Sequence, residues 1–162
     1  MGKNPTDRGK KGTKKSLLTD GDGGPLGVVI AGANVVEQKL LKATIEAIVV
    51  ERPDPAKQEQ HLSLDKGYDN DPGRAAASEA GYIAHIRRIG EEPKPCDRSL
   101  GHKPRRWVVE RTFAWLSKCR GILVRYDKKD VNYLGLIQLA CALYWYRRLD
   151  RITRRDANQS PT

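Results

Sequence analysis

The chain has 162 residues, enough for one domain with its own core. Thirty Lys and Arg against twenty Asp and Glu leave a net charge of +10, which favours a polyanionic partner such as nucleic acid. Three cysteines without a pairing motif, no apolar signal segment and no long apolar run argue against a disulfide scaffold, a secreted chain and a membrane span, and point to a cytoplasmic, nucleoid-associated protein.

Residues 1–15 read as a basic, flexible arm, with Lys3, Arg8, Lys10, Lys11, Lys14 and Lys15 against Asp7. Ser16–Thr19 and Pro25–Ile30 read as two strands of a hairpin, joined by the glycine-rich turn Asp20–Gly24. Asn34 is placed to cap a helix carrying Leu40, Leu41, Thr44 and Ile48, which Pro53 and Pro55 end. His61–Asp65 reads as a short strand with Asp65 at its C-terminal end. An Ala-rich helix over about 73–80 stops at Gly81, and Tyr82–Ile86 forms another strand. Residues 87–106, with Pro93, Pro95 and Pro104, read as a loop. Two helices close the chain, one over about 106–120 and one over about 131–149. The second is apolar nearly all round and so is expected to be buried. The tail 151–162 is polar and expected to fray. This order predicts an α/β fold with a mixed sheet and flanking helices.

Glu110 is a lone acid among Arg105, Arg106 and Arg111. Nearby positive charge favours an ionised carboxylate. At 100° per residue, Val108, Val109, Trp115, Leu116, Cys119, Ile122 and Leu123 share an apolar arc, and Glu110 lies off it. Its neighbours one, two and three turns on are Ala114, Ser117 and Gly121, all small. A surface helix more often carries long polar side chains there, so this stripe leaves room for a ligand. The competing reading is a Glu–Arg surface pair, which contributes only ~0.3–0.5 kcal/mol.

Asp65 ends a strand, where open α/β sheets place their ligands. The two acids are oxygen donors suited to Mg²⁺. A two-metal site for phosphodiester chemistry needs such carboxylates, and a third acid as well. Cys119 and Cys141 fall in apolar helical runs and read as core thiols. His61, His85 and His102 have no zinc spacing with the cysteines, and Gly21–Gly24 is a turn rather than a nucleotide fingerprint. Trp107 lies off the apolar arc beside Arg111, which makes it the tryptophan best placed to stack on a base.

Leu64-Asp65-Lys66-Gly67-Tyr68-Asp69, followed by Arg106-Trp107-Val108-Val109-Glu110-Arg111-Thr112-Phe113-Ala114-Trp115-Leu116, resembles the second and third acid motifs of bacterial insertion-sequence DDE transposases. The nearest group is insertion sequence family five. The stretch Asn4–Lys14 and Gly32-Ala33-Asn34 are similar to that group too, and the resemblance covers about residues 2–149. It implies a partial RNase H-like domain over 16–150 that lacks the first strand. Asp65 and Glu110 are implied as catalytic acids and metal ligands, with Mg²⁺, or Mn²⁺ in its place, as cofactor. The implied partner is DNA, both transposon ends and target.

The implied phosphate contacts are Lys10, Lys11, Lys14, Lys15, Arg105, Arg106, Arg111 and Lys118. The chain departs from the related Tyr–Arg–Glu–Lys signature: Arg106 fills the Arg place, but Lys103 stands at the Tyr place and Ser117 at the Lys place. The first Asp of such enzymes lies upstream of the Asn4–Arg8 segment. The expectation is therefore a chain that is inactive alone, completed by an upstream segment of a longer reading frame, and working as a homo-oligomer. The alternative is a non-catalytic DNA-binding or regulatory fragment.

Overall fold

The computed structural model describes residues 1–5, 8–86 and 106–159. The chain is α/β, as expected. Strands β1 (Gly2–Lys3), β2 (Lys11–Thr19) and β3 (Pro25–Gly32) form an antiparallel sheet in that order. A 3₁₀ turn (Glu37–Leu40) leads into α1 (Leu41–Glu46). Strand β4 (His61–Leu64), a 3₁₀ turn (Lys66–Tyr68), α2 (Asp71–Glu79) and β5 (Ile83–Ile86) follow, with β4 and β5 paired in parallel. Helices α3 (Arg106–Leu116), α4 (Arg120–Leu123) and α5 (Asp130–Gln159) complete the chain. The expected single mixed sheet is thus two sheets among the described residues, one antiparallel and one parallel, with no ladder between them.

The period-two alternation of β2 explains how one hairpin serves two cores. Leu17 packs against the cluster of Val28, Leu116, Ile122, Tyr133, Ile137 and Ala140, while Leu18 packs against Leu41, Ile45, Leu62 and Ala77. Each fully buried aliphatic side chain, such as Leu116 or Ile137, stabilises the fold by about 1.5–3 kcal/mol. Gly27 is what lets α1 lie so close to β3. A Cβ there would stand 2.7 Å from the carbonyl oxygen of Thr44.

Several sequence expectations are corrected. The strand begins at Lys11, and Gly2–Lys3 pairs with it, so residues 11–15 are ladder rather than flexible arm. Val36, not Asn34, occupies the cap position before the 3₁₀ turn, and α1 ends at Glu46, well before Pro53. The predicted helix over 106–120 breaks after Leu116, because Cys119 is extended (φ −79°, ψ 107°) and starts α4. Helix α5 runs through the predicted polar tail to Gln159. Nor is it buried all round: Val131, Leu139, Leu143, Tyr146 and Leu149 are exposed, while Tyr133, Ile137 and Ala140 make the buried stripe. The predicted loop lies outside the described residues except for Arg106. Among those residues no helix is long and apolar enough to cross a membrane. Cys141 is half-buried, and burial pushes its thiol up to about 11.

The turn at Asp20–Gly24 is the hub that positions the last helices. The Asp20 carboxylate accepts from the backbone N–H of Asp22 (2.9 Å) and Gly24 (2.7 Å), an Asx-type closure. Gly23 adopts φ +92°, a region that favours glycine. Arg148 of α5 donates to Asp20 (2.9 Å) and Asp22 (3.2 Å), and Trp145 Nε1 donates to the Pro25 carbonyl (2.7 Å). From α3, Arg111 donates to the Asp22 carbonyl and Thr112 Oγ1 to the Gly23 carbonyl (2.7 Å). Thr112 is 1% exposed, between Val108 and Leu116 on the buried stripe of α3. Thr112→Val keeps the shape but leaves the Gly23 carbonyl without that donor. Denaturant unfolding is expected to show a loss of about 1–3 kcal/mol; an unchanged midpoint would refute this docking role.

Candidate active site

Asp65 follows β4 and caps the 3₁₀ turn at Lys66–Tyr68. Its Oδ1 accepts from the Lys66 backbone N–H at 2.8 Å, and the residue is exposed. The turn is held from several sides. The Gly67 carbonyl accepts from Gln38 Nε2 and from Asn70 Nδ2 (3.0 Å), and Asn70 Oδ1 caps α2 by accepting from the Gly73 N–H (2.9 Å). The nearby acid of the same motif, Asp69, is taken up by Arg74, whose Nε donates to it at 3.1 Å.

Burial, together with the negative charges of Glu37 and Asp65, raises the Tyr68 hydroxyl above its ordinary value. Glu37 therefore belongs to the surroundings of Asp65, and Lys14 holds it by an ion pair at 3.4 Å. Sequence reasoning missed Glu37 and Gln38. Their contacts bridge about thirty residues of sequence and leave no local periodicity.

Glu110 lies on the open side of α3. Val108, Thr112 and Leu116 are buried, while Glu110, Trp107, Arg111, Ala114 and Lys118 are exposed. The helix packs on β2 and α5, whereas β4 pairs with β5. The described residues hold no group of three or more His, Cys, Asp or Glu placed to bind a metal. Carboxylates such as those of Asp65 and Glu110 are hard oxygen donors of the kind a divalent cation takes.

The basic residues divide by partner. Lys10, Lys11 and Lys118 are exposed. Lys14 Nζ donates to the Val35 carbonyl at 3.0 Å. Lys15 Nζ donates to the Ile122 carbonyl at 3.4 Å, and burial lowers its ammonium below the ordinary lysine value. Lys14 and Lys15 point to opposite faces of β2, each towards a backbone carbonyl. Arg111 spans the hairpin turn and the Trp107 ring, with its guanidinium carbon 4.6 Å from the ring centroid. Arg106 opens α3, and Arg105 lies outside the described residues.

The family description "Transposase DDE domain" matches residues 2–145, a span that contains both Asp65 and Glu110. The chain belongs to the DDE transposase family. A relative from Burkholderia cepacia, described as "Putative transposase for insertion sequence element IS402", is 32% identical over 153 residues, covering 93% of this chain and 70% of the relative. No solved structure matches. As a transposase of the insertion-sequence type, the protein acts in DNA transposition, with DNA as its partner.

Proposed function

We propose that this transposase cleaves phosphodiester bonds at the ends of its element and joins them to target DNA, with Asp65 and Glu110 holding the divalent cation, Mg²⁺ or Mn²⁺. The observation that carries this reading is the pair of exposed carboxylates, one at the end of a parallel strand and one on the open face of α3, within the matched family span. Strand ends of open sheets are where such folds place ligands. Two carboxylates leave positions on the cation for a further ligand, in the RNase H-like arrangement that the family resemblance implies.

The cation, when bound, supplies Lewis-acid charge to the phosphate and makes water a stronger nucleophile. Asp65 is held for this role by the Lys66 N–H and by the bonds that fix Gly67 and Asn70. Glu110 has a low neighbour in Ala114, so a phosphate can approach it closely. Lys118 and Arg111 on the same side, and Lys10 and Lys11 near the start of β2, attract the DNA backbone. Lys14 and Lys15 mainly anchor β2 to its neighbours. Homo-oligomers that bring two element ends together fit the same reading.

The net charge of +10 favours, as a second reading, a non-catalytic DNA-binding role. Plasmid nicking separates them. On a plasmid bearing the element's ends, the intact transposase is expected to nick only with Mg²⁺ or Mn²⁺, and Asp65→Asn to lose nicking while retaining binding. Equal nicking by the variant, or nicking in EDTA, contradicts the catalytic reading. Binding without nicking by the unsubstituted protein supports the second.

A further inference from the structure

Lys3 and Lys11 stand directly opposite each other in the β1–β2 ladder, and both are exposed. Directly opposed side chains have Cβ atoms ~4.5–5.5 Å apart, and like charges so placed are destabilising. A ladder serving stability alone would set an acid across from one of them.

Period two along β2 puts Lys11 on the face that carries Thr13, Lys15 and Leu17. That face meets the end of the chain. Lys15 Nζ donates to the Ile122 carbonyl, and Thr13 Oγ1 accepts from Arg125 at 2.7 Å. Arg125 also gathers the loop before α5, donating to the carbonyls of Asp127 (2.9 Å) and Lys128 (3.4 Å) and to the Asp130 carboxylate. The start of the chain is there too: the Arg125 hydrogen bond, then the charge of the amino terminus, hold the Asp130 carboxyl below its ordinary range. Lys128 and Lys129, both exposed, therefore lie at the same end of β2 as Lys3 and Lys11. Arg125 takes Asp130, and Asp127, the other acid of the loop, is half-buried. Among the described residues, none of the four lysines is ion-paired. The hairpin turn at the opposite end of β2 holds α3 through Arg111 and Thr112, the residues that follow Glu110. Nine strand residues at ~3.3 Å each separate the two ends by about 30 Å.

We propose that Lys3, Lys11, Lys128 and Lys129 form a second contact face for double-stranded DNA, gripping its phosphate backbone at the end of the molecule remote from Glu110 and without preference for sequence. The ammoniums come from two separate chain segments and cover an area. An area matches the two phosphate rows of a duplex, which carries one charge per ~1.7 Å of axis, better than it matches one strand. Tyr126, 69% exposed in the same loop, adds a hydroxyl of the kind that donates to phosphate oxygens. A separation of about 30 Å corresponds to about nine base-pair steps of ~3.4 Å. That the duplex held here is the one cut near Glu110 rests on the catalytic reading above; the backbone contact does not.

The test is a salt titration of 20-base-pair duplex binding by the 162-residue protein in EDTA, which keeps metal chemistry out of the readout. Log affinity against log salt has a slope of about −0.9 per neutralised phosphate. Lys128→Gln with Lys129→Gln is expected to make the slope shallower by about 1.8. Binding at 0.1 M salt should weaken by about 10- to 60-fold, equally on two duplexes of unrelated sequence. Lys3→Gln with Lys11→Gln should do the same, with the melting temperature unchanged or raised because the opposed charges are relieved. Lys42 and Lys57 are exposed lysines already paired with Glu79 and Asp54. Changing both to Gln removes the same charge near α1 and should alter the slope by less than about 0.5. An unchanged slope in either lysine pair, an equal change in the control pair, or a loss seen only with single-stranded DNA would overturn the proposal. So would an unsubstituted protein that does not bind the duplex. Loss of nicking in Asp65→Asn bears only on the catalytic reading.

Discussion

Glu110→Gln is expected to lower DNA cleavage and strand transfer by the intact transposase about 10³-fold or more. The change removes a carboxylate charge from the cation's proposed ligands but keeps nearly the same volume. Charge stabilisation by a metal is worth several kcal/mol, and each 1.36 kcal/mol is tenfold in rate. Because Glu110 is exposed and off the buried stripe of α3, the fold should hardly notice, with stability unchanged within about 0.5 kcal/mol. End binding should be spared or slightly tightened, since a negative charge leaves a basic face. Single-turnover cleavage assays beside a melting curve read both quantities. Near-normal cleavage with normal folding would rule Glu110 out as a metal ligand.

The largest effect on stability is expected at Arg125, whose side chain is 7% exposed. It donates to Thr13 Oγ1 (2.7 Å), to the Asp127 carbonyl (2.9 Å), to the Lys128 carbonyl (3.4 Å) and to the Asp130 carboxylate at the start of α5, and its guanidinium lies 5.0 Å from the Tyr133 ring centroid. One side chain thus fastens the first turn of α5 to β2. Arg125→Met retains the apolar stem and strands the carbonyls. A loss of about 2–4 kcal/mol is expected, summed over the orphaned partners, which for a chain of this size lowers Tm by about 5–15 °C.

The pH dependence should change too. The Arg125 hydrogen bond, followed by the charge of the chain's amino terminus, holds Asp130 below the usual carboxylate range. A depressed carboxylate contributes stability that is present above its ordinary value and fades as pH falls through the lowered one. In Arg125→Met that acid-side contribution should shrink. A midpoint within 1 °C of the parent would contradict the fastening role.

The local parts of this fold were legible in the sequence. Asp65 falls at the end of a strand, Gly81 stops α2 with φ +74°, and Glu110 sits off the core face of its helix. These follow from period and from single-residue preferences that need no partner. What escaped depends on distant partners. Lys14 and Lys15 read as arm because both are cationic. Their carbonyl partners, Val35 and Ile122, lie 21 and 107 residues away. Arg125 finds Thr13 across 112 residues and Arg148 finds Asp20 across 128, so neither had a local signature.

Helix α5 misled in the opposite direction. Apolar residues all round suggest burial, yet Leu139, Leu143 and Tyr146 face outward while Tyr133, Ile137 and Ala140 meet the sheet. Periodicity can locate an apolar face but cannot say how many faces the chain itself covers. The site shows the same divide. The strand-end position of Asp65 and the exposed position of Glu110 were legible, whereas the neighbours of Asp65, Glu37 and Gln38, were not.

Whether Asp65 and Glu110 share one cation is read most directly by replacing Mg²⁺ with Fe²⁺ and generating hydroxyl radicals at the bound metal in the DNA complex. Radicals cut the backbone only near the iron. The account predicts cuts clustered around residue 65 and around residue 110, both suppressed by excess Mg²⁺ and both lost in either Asp65→Asn or Glu110→Gln. Cuts at only one of the two positions, or cutting that survives both substitutions, would contradict a shared metal centre.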